Sequence, residues 1–179
     1  MKHQKTKQAY LAGKISNDDW RNKLVPGLRG HTWEDGPIFT PTFTYEGPFF
    51  QSCDHGCSHG PSTHGVGAGK GTCTEEITYS PADIIRLNDA ALRNADLVFA
   101  YITAIDCHGT MVEIGIAAAQ LFTRIVIAFA PGIDSKDFWY STARAAAVYE
   151  NVRECCLPDI LARELFIMKG NSASMECGA

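Results

Sequence analysis

The stretch that most constrains this chain is Ala95-Asp-Leu-Val-Phe-Ala-Tyr-Ile-Thr-Ala-Ile-Asp-Cys-His-Gly-Thr-Met-Val-Glu-Ile-Gly-Ile-Ala-Ala-Ala-Gln120. Its apolar run, Leu97 to Ile102, has the length and β-rich make-up of a parallel strand buried on both faces. Met111 to Leu121 is rich in Ala and Ile and long enough for a helix. Between them lies a polar turn, Asp106-Cys-His-Gly-Thr110. Strand, Gly-containing turn and helix start form the unit that places ligands at the carboxyl edge of an open α/β sheet. Glu113 then falls in the expected first turn of an otherwise apolar helix. It can be a carboxylate placed for the helix dipole, worth about 0.3–1 kcal/mol. It can also be half of a working carboxylate pair with Asp106, a turn away in space.

With 179 residues the chain is most simply one domain, 1–179, long enough to bury a full core. A net charge of -4 gives no general attraction to nucleic acid or to an anionic membrane. No apolar run approaches the roughly 18 residues of a membrane span. The basic start, Met1 to Lys7, leads straight into a strand and not into a secretory apolar region. Seven cysteines without such a signal point to reduced thiols in the cytoplasm.

Along the chain, Gln8 to Ala12 reads as a short strand ending at Gly13. Ser16 with Asp19 resembles a capping box, and Trp20 and Leu24 share a helical face until Pro26 and Gly27 stop it. Ile38 to Thr44 reads as a second strand, with Pro41 marking an edge or an interruption. Ser80-Pro81 opens a helix that ends at Asn94-Ala-Asp96. Arg124 to Pro131 is another buried-type strand. A helix carrying Phe138, Trp139, Ala143, Ala146 and Ala147 follows from Asp134, and a last one spans Leu157 to Met168. Residues 170–179 read as a loose tail. The alternation predicts an α/β fold, a doubly wound parallel sheet with helices on both faces.

The inserted loop, residues 51–79, has the oddest composition. Cys53, Cys57, His59, His64 and Cys73 are weak candidates for zinc ligands, because their spacing matches no common structural zinc pattern. The alternative is a Gly-rich, substrate-covering loop. Gly65 to Thr72 superficially resembles a P-loop, but Gly71 stands where Ser or Thr should follow Lys70, and no strand-to-helix context surrounds it. A nucleoside-triphosphatase is excluded on those grounds.

Strand ends at one sheet edge would bring Tyr10, Gly13 and Ser16 together with Asp106, Thr110 and Glu113. Asp89, on the preceding helix, either faces the same cleft or meets solvent. A Glu nucleophile and a nearby acid are the equipment for glycosidic substitution through an oxocarbenium-like transition state.

Tyr10-Leu-Ala-Gly13, Asn88-Asp89 before Asn94-Ala-Asp-Leu-Val98, and above all Gly109-Thr-Met-Val-Glu-Ile-Gly-Ile-Ala117 resemble the nucleoside 2-deoxyribosyltransferase family, which also contains nucleotide N-glycosidases. The similarity covers the first turn and roughly residues 83–130. It implies a flavodoxin-like fold that cleaves or transfers at the N-glycosidic bond of a nucleoside or nucleoside 5′-monophosphate, without a cofactor. By this resemblance Glu113 is the nucleophile, Asp89 helps protonate the base and Tyr10 lies beside the nucleoside. Gly13, Lys14, Ser16, His108, Gly109 and Thr110 complete the expected substrate site, and a homodimer or larger homo-oligomer is implied, with Phe138-Trp-Tyr140 as a candidate interface.

Two positions depart from the family pattern. Cys107 stands six residues before Glu113, where transferases often have Asp and nucleotide hydrolases Ser; Asp106 is one residue further back. Ser16 occupies the first-turn position where the hydrolases often have a phosphate-binding Arg, which leaves Lys14, Lys70 and His108 as phosphate candidates. Two other readings stay open: a non-catalytic nucleotide-sensing module on the same fold, and a zinc-binding protein acting through the Cys/His loop.

Overall fold

The computed structural model describes residues 6–15, 19–29, 31–49 and 81–173. The inserted loop, with its five metal-ligand candidates, and Ser16 lie outside the described residues.

Six strands form one sheet in the order β2-β3-β1-β4-β5-β6. They are β1 (Lys7–Gly13), β2 (Ile38–Phe39), β3 (Phe43–Gly47), β4 (Leu97–Ile102), β5 (Arg124–Phe129) and β6 (Ala147–Tyr149). All neighbours are parallel except β2 and β3. The expected single strand from Ile38 to Thr44 is therefore two antiparallel pieces, and the sheet is mixed at that edge. Pro41 lies in the reversal, where Thr40 holds Phe43 through its amide and its hydroxyl. A proline has no N–H to give a ladder, so the chain turns there.

β4 is buried at all six positions, and β5 at every position after Arg124. Such strands need cover on both faces. Period-two alternation supplies it: Leu11, Leu97, Phe99, Tyr101 and Val126 meet Trp20, Val25 and Leu28 on one face. Tyr10, Val98, Ala100, Ile125 and Ile127 face the opposite way. The first face is closed by α5 (Leu157–Ala173), whose Leu157, Leu161 and Leu165 repeat every four residues. The second is closed by α2 (Pro81–Asn94), through Ala91 and Leu92, and by α3 (His108–Ala118), through Ile114 and Ala117. Each fully buried Leu on these faces contributes about 1.5–3 kcal/mol.

Asp96 pins the strand starts together. Its amide donates to the Gln8 carbonyl, its carboxylate accepts from the Gln8 amide, and its carbonyl accepts from Arg124. β1 is thereby fixed beside β4, and β4 beside β5, at the amino edge. Side chains at the opposite, carboxyl edge inherit that register.

Three expected elements differ. The helix from Asp134 is a single 3-10 turn, Ser135–Phe138, followed by the short α4 (Trp139–Thr142), and Ala147 belongs to β6. Its neighbours Val148 and Tyr149 favour a strand, and pairing with Val126 to Ala128 satisfies their backbone groups. The first helix shrinks to α1 (Arg21–Leu24). α5 continues past Met168 to Ala173, into what reads from sequence as tail.

Candidate functional site

The parallel strands run β3-β1-β4-β5-β6, so the chain moves outward one way from β1 and the other way from β4. Ligands of such sheets bind where the direction reverses, outside the carboxyl ends of those two strands. Gly13 and Lys14 leave β1 at that point, and the turn into α3 leaves β4 there.

Tyr10 is fully buried on β1, and its hydroxyl donates to Glu113 Oε1 at 2.5 Å. α3 begins at His108, so Glu113 stands in its second turn and not in the first. The dipole reading loses its ground, because that effect fades within one turn. Burial instead dominates, and it pushes the Glu113 carboxyl above its ordinary range; the Tyr10 hydrogen bond and the charge of Arg21 pull the other way. Tyr10 itself is held well above the ordinary tyrosine range, first by burial and then by Glu113. It therefore stays a neutral donor.

A register shift between Ala9 and Tyr10 aims this tyrosine. Ala9 lies opposite Tyr45 on β3, but Tyr10 lies opposite Gly47. Irregularities of this kind re-aim side chains beside functional sites. Gly47 has φ +143, and a Cβ there would meet the Trp33 ring at 2.9 Å and the Tyr10 ring at 3.4 Å. Trp33, which also packs edge-on against Phe49, thus closes over the backbone beside Tyr10.

Below the switch point sits a charge cluster that sequence reading missed. Arg21 is fully buried. It donates from Nη1 to both Asp19 oxygens at 2.9 and 2.8 Å, from Nε to the Leu11 carbonyl at 2.6 Å, and from Nη2 to the Gly13 carbonyl at 2.6 Å. Its guanidinium lies 4.7 Å from the Trp20 ring centre. Asp19 also accepts the Arg21 amide and so braces the guanidinium locally; the expected capping box with Ser16 lies outside the described residues. The last carbonyls of β1 are satisfied by this side chain. Gly13 makes room for it: with φ +153, a Cβ would come within 2.8 Å of the Tyr101 carbonyl oxygen and 3.2 Å of Arg21 Nη2. An Arg two residues from an Asp after a strand carries no distinctive sequence signal, since on a regular helix such neighbours do not face each other.

The remaining candidates separate into distinct groups. Asp106 is exposed, and both its oxygens accept from Lys14 at 2.8 Å. The hydrogen bond and charge of Lys14 hold the Asp106 carboxyl below its ordinary range. This pair bridges the turn after β1 to the turn after β4, and Asp106 is committed to Lys14. Asp89 is half-buried on α2, with Arg93 Nη2 at 3.3 Å one turn along. Thr110 is buried, His108 and Gly109 are exposed at the start of α3, and Cys107 is a buried free thiol pushed up by burial. Among the described residues no cluster of three or more His, Cys, Asp or Glu side chains could hold a metal, and no helix is long and apolar enough to cross a membrane.

Comparisons with protein-family models, curated proteins and solved structures returned no match to this chain.

Proposed function

We propose that this protein is an N-glycosidase or nucleoside deoxyribosyltransferase, with Glu113 as the nucleophile. The observation that carries the reading is the Tyr10–Glu113 hydrogen bond at the switch point of the sheet. A carboxylate nucleophile needs one oxygen oriented and the other free. Tyr10 holds Oε1, which leaves Oε2 to attack the anomeric carbon of a nucleoside or nucleoside 5′-monophosphate. Burial strengthens every interaction of the ionised carboxylate, while Tyr10 and Arg21 offset the cost of ionising it there.

Departure of the base requires a proton. Asp106 is a poor donor, because Lys14 keeps it ionised. Asp89 is assigned that role, as the resemblance implies. The glycosyl-Glu113 ester is then resolved by water or by a second base. Lys14 and His108 are the proposed contacts for a 5′-phosphate, and Gly13, Gly109 and Thr110 for the sugar. No cofactor takes part in this scheme.

The test is chromatography of nucleosides and 5′-nucleotides, ribo and deoxy, incubated with the protein with and without an acceptor base. Release of free base, abolished in a folded Glu113→Ala variant, is the expected result. Saturable nucleotide binding without release would instead favour a sensing module. The homo-oligomer belongs to the same proposal. Trp139 and Tyr140 are exposed and available for it, whereas Phe138 is buried against Phe129, with ring centres 5.4 Å apart.

A further inference from the structure

Neighbouring side chains in a helical turn diverge around its axis, so residues i and i+1 do not normally face each other. Cys155 and Cys156 depart from this. They lie in the 3-10 turn Glu154–Cys156 that runs into α5, both are exposed free thiols, and their Sγ atoms are 3.9 Å apart. The turn follows Val152, whose carbonyl accepts from the Tyr101 hydroxyl, and Glu154 is tied to Lys23 of α1 at 2.7 Å. The backbone that presents the two thiols is thus anchored to β4 and to α1.

Two converged thiols can join each other or share a third atom, and the geometry separates these outcomes. A disulfide needs Cα atoms about 4.4–6.8 Å apart. Consecutive residues across a trans peptide hold them at about 3.8 Å. Closing the bond would also distort the turn whose Leu157 amide donates to the Glu154 carbonyl. Two thiolates on one tetrahedral ion, each with a bond of about 2.3 Å, place their sulfurs about 3.8 Å apart. The observed separation meets that requirement without moving the backbone.

We propose that Cys155 and Cys156 form a bidentate thiolate site for a thiophilic divalent cation of the zinc and cadmium class. Two S–H bonds break, two sulfur–metal bonds form, and two protons pass to solvent; no electrons are exchanged. Thiolates select such ions over magnesium or calcium, which prefer oxygen. Among the described residues no third ligand completes a cluster, so the adjacent pair supplies the two thiolates on which the proposed site rests. The contact with Cys155 pushes the Cys156 thiol above its ordinary range, Asp159 adds to this and Arg153 opposes it.

The test is titration of the full chain with Cd2+ alone, read by cadmium–thiolate charge-transfer absorption and by proton release. The background carries Ser at positions 53, 57, 73 and 177, leaving the buried Cys107 and the adjacent pair. One equivalent bound with release of two protons is expected. Adding Cys155→Ser or Cys156→Ser should weaken binding by about a hundredfold or more, because the second thiolate binds as an intramolecular step. Binding that neither substitution alters, or no absorption at all, overturns the site. Should the four-serine background not fold, the wild-type chain is compared with Cys155→Ser/Cys156→Ser. Loss of one equivalent is then expected, and equal stoichiometry overturns the proposal.

Discussion

Tyr10→Phe is the substitution that most directly interrogates the site. It removes one oxygen from a fully buried ring and with it the 2.5 Å hydrogen bond to Glu113. A hydrogen bond to a charged group contributes about 1.5–3 kcal/mol. The ionised form of Glu113 loses that amount, while the protonated form loses less. Burial, no longer offset by Tyr10, then pushes the carboxyl further above its ordinary range, with only Arg21 still opposing it. At a pH below that raised value, the fraction of enzyme with an ionised nucleophile falls. Base release should drop about ten- to a hundredfold there. At higher pH ionisation is restored, and much of the rate should return.

The signature is therefore a displaced acid limb and not a uniform loss. The assay is base release across a pH series for wild type, Tyr10→Phe and Glu113→Gln, beside a carboxyl-carbon NMR titration of Glu113. The NMR arm needs no activity and reads the same coupling. An acid limb and a titration that both stay in place in Tyr10→Phe would refute the reasoning. A rate lowered equally at every pH would instead mean that the hydroxyl contacts substrate.

Other perturbations test the frame around that contact. Arg21→Met takes the guanidinium away from the buried Asp19 carboxylate and from two β1 carbonyls, so urea unfolding should show a loss of about 3–5 kcal/mol. Gly13→Ala forces a side chain into a positive-φ position already crowded by the Tyr101 carbonyl, and should lower stability by about 1–3 kcal/mol in the same assay. Glu164 is buried, accepts from Arg124 at 2.7 Å and from Tyr149 at 2.5 Å, and ties α5 to β5 and β6. Glu164→Ala should cost about 3–5 kcal/mol while leaving the pH dependence of Glu113 unchanged. Because folding raises the Glu113 pKa, the folded state holds a proton that the unfolded chain releases. That contribution is present below the ordinary carboxylate range and is lost as pH rises through the folded value. Thermal melts should accordingly show Glu113→Gln gaining on wild type as pH rises across that window.

What the sequence revealed and what it hid follow from the range of the interactions involved. β4 and β5 are legible because a strand buried on both faces must be apolar throughout, which is a local property. The start of α2 at Pro81 and the end of β1 at Gly13 are legible for the same reason, since proline and glycine impose their backbone preferences locally. Ala147-Val-Tyr149 is different. As a run of three residues it reads as the continuation of an Ala-rich helix, and only the free edge of β5 makes it a strand. The charge cluster lies further beyond reach. Arg21 sits where an amphipathic reading expects an exposed cation, and its burial depends on two strand carbonyls and an aspartate converging on it.

The pairing of carboxylates shows the same limit at the site. From sequence, Asp106 in the polar turn is the obvious partner of Glu113, because it lies a turn away at the same strand-to-helix junction. The structure directs the two apart: α3 starts at His108, Glu113 stands in its second turn, and Asp106 faces Lys14 from the neighbouring turn. Glu113 finds its partner on β1 instead, 103 residues away in sequence, through a register shift that no local pattern announces. A helix dipole and an adjacent carboxylate are both local ways to set a pKa, and neither operates here. Burial between a strand and a helix, offset by a tyrosine of β1 and an arginine of α1, sets it instead. That makes the reactivity of Glu113 a property of the switch point itself, so substitutions in β1 should move its titration more than substitutions within α3.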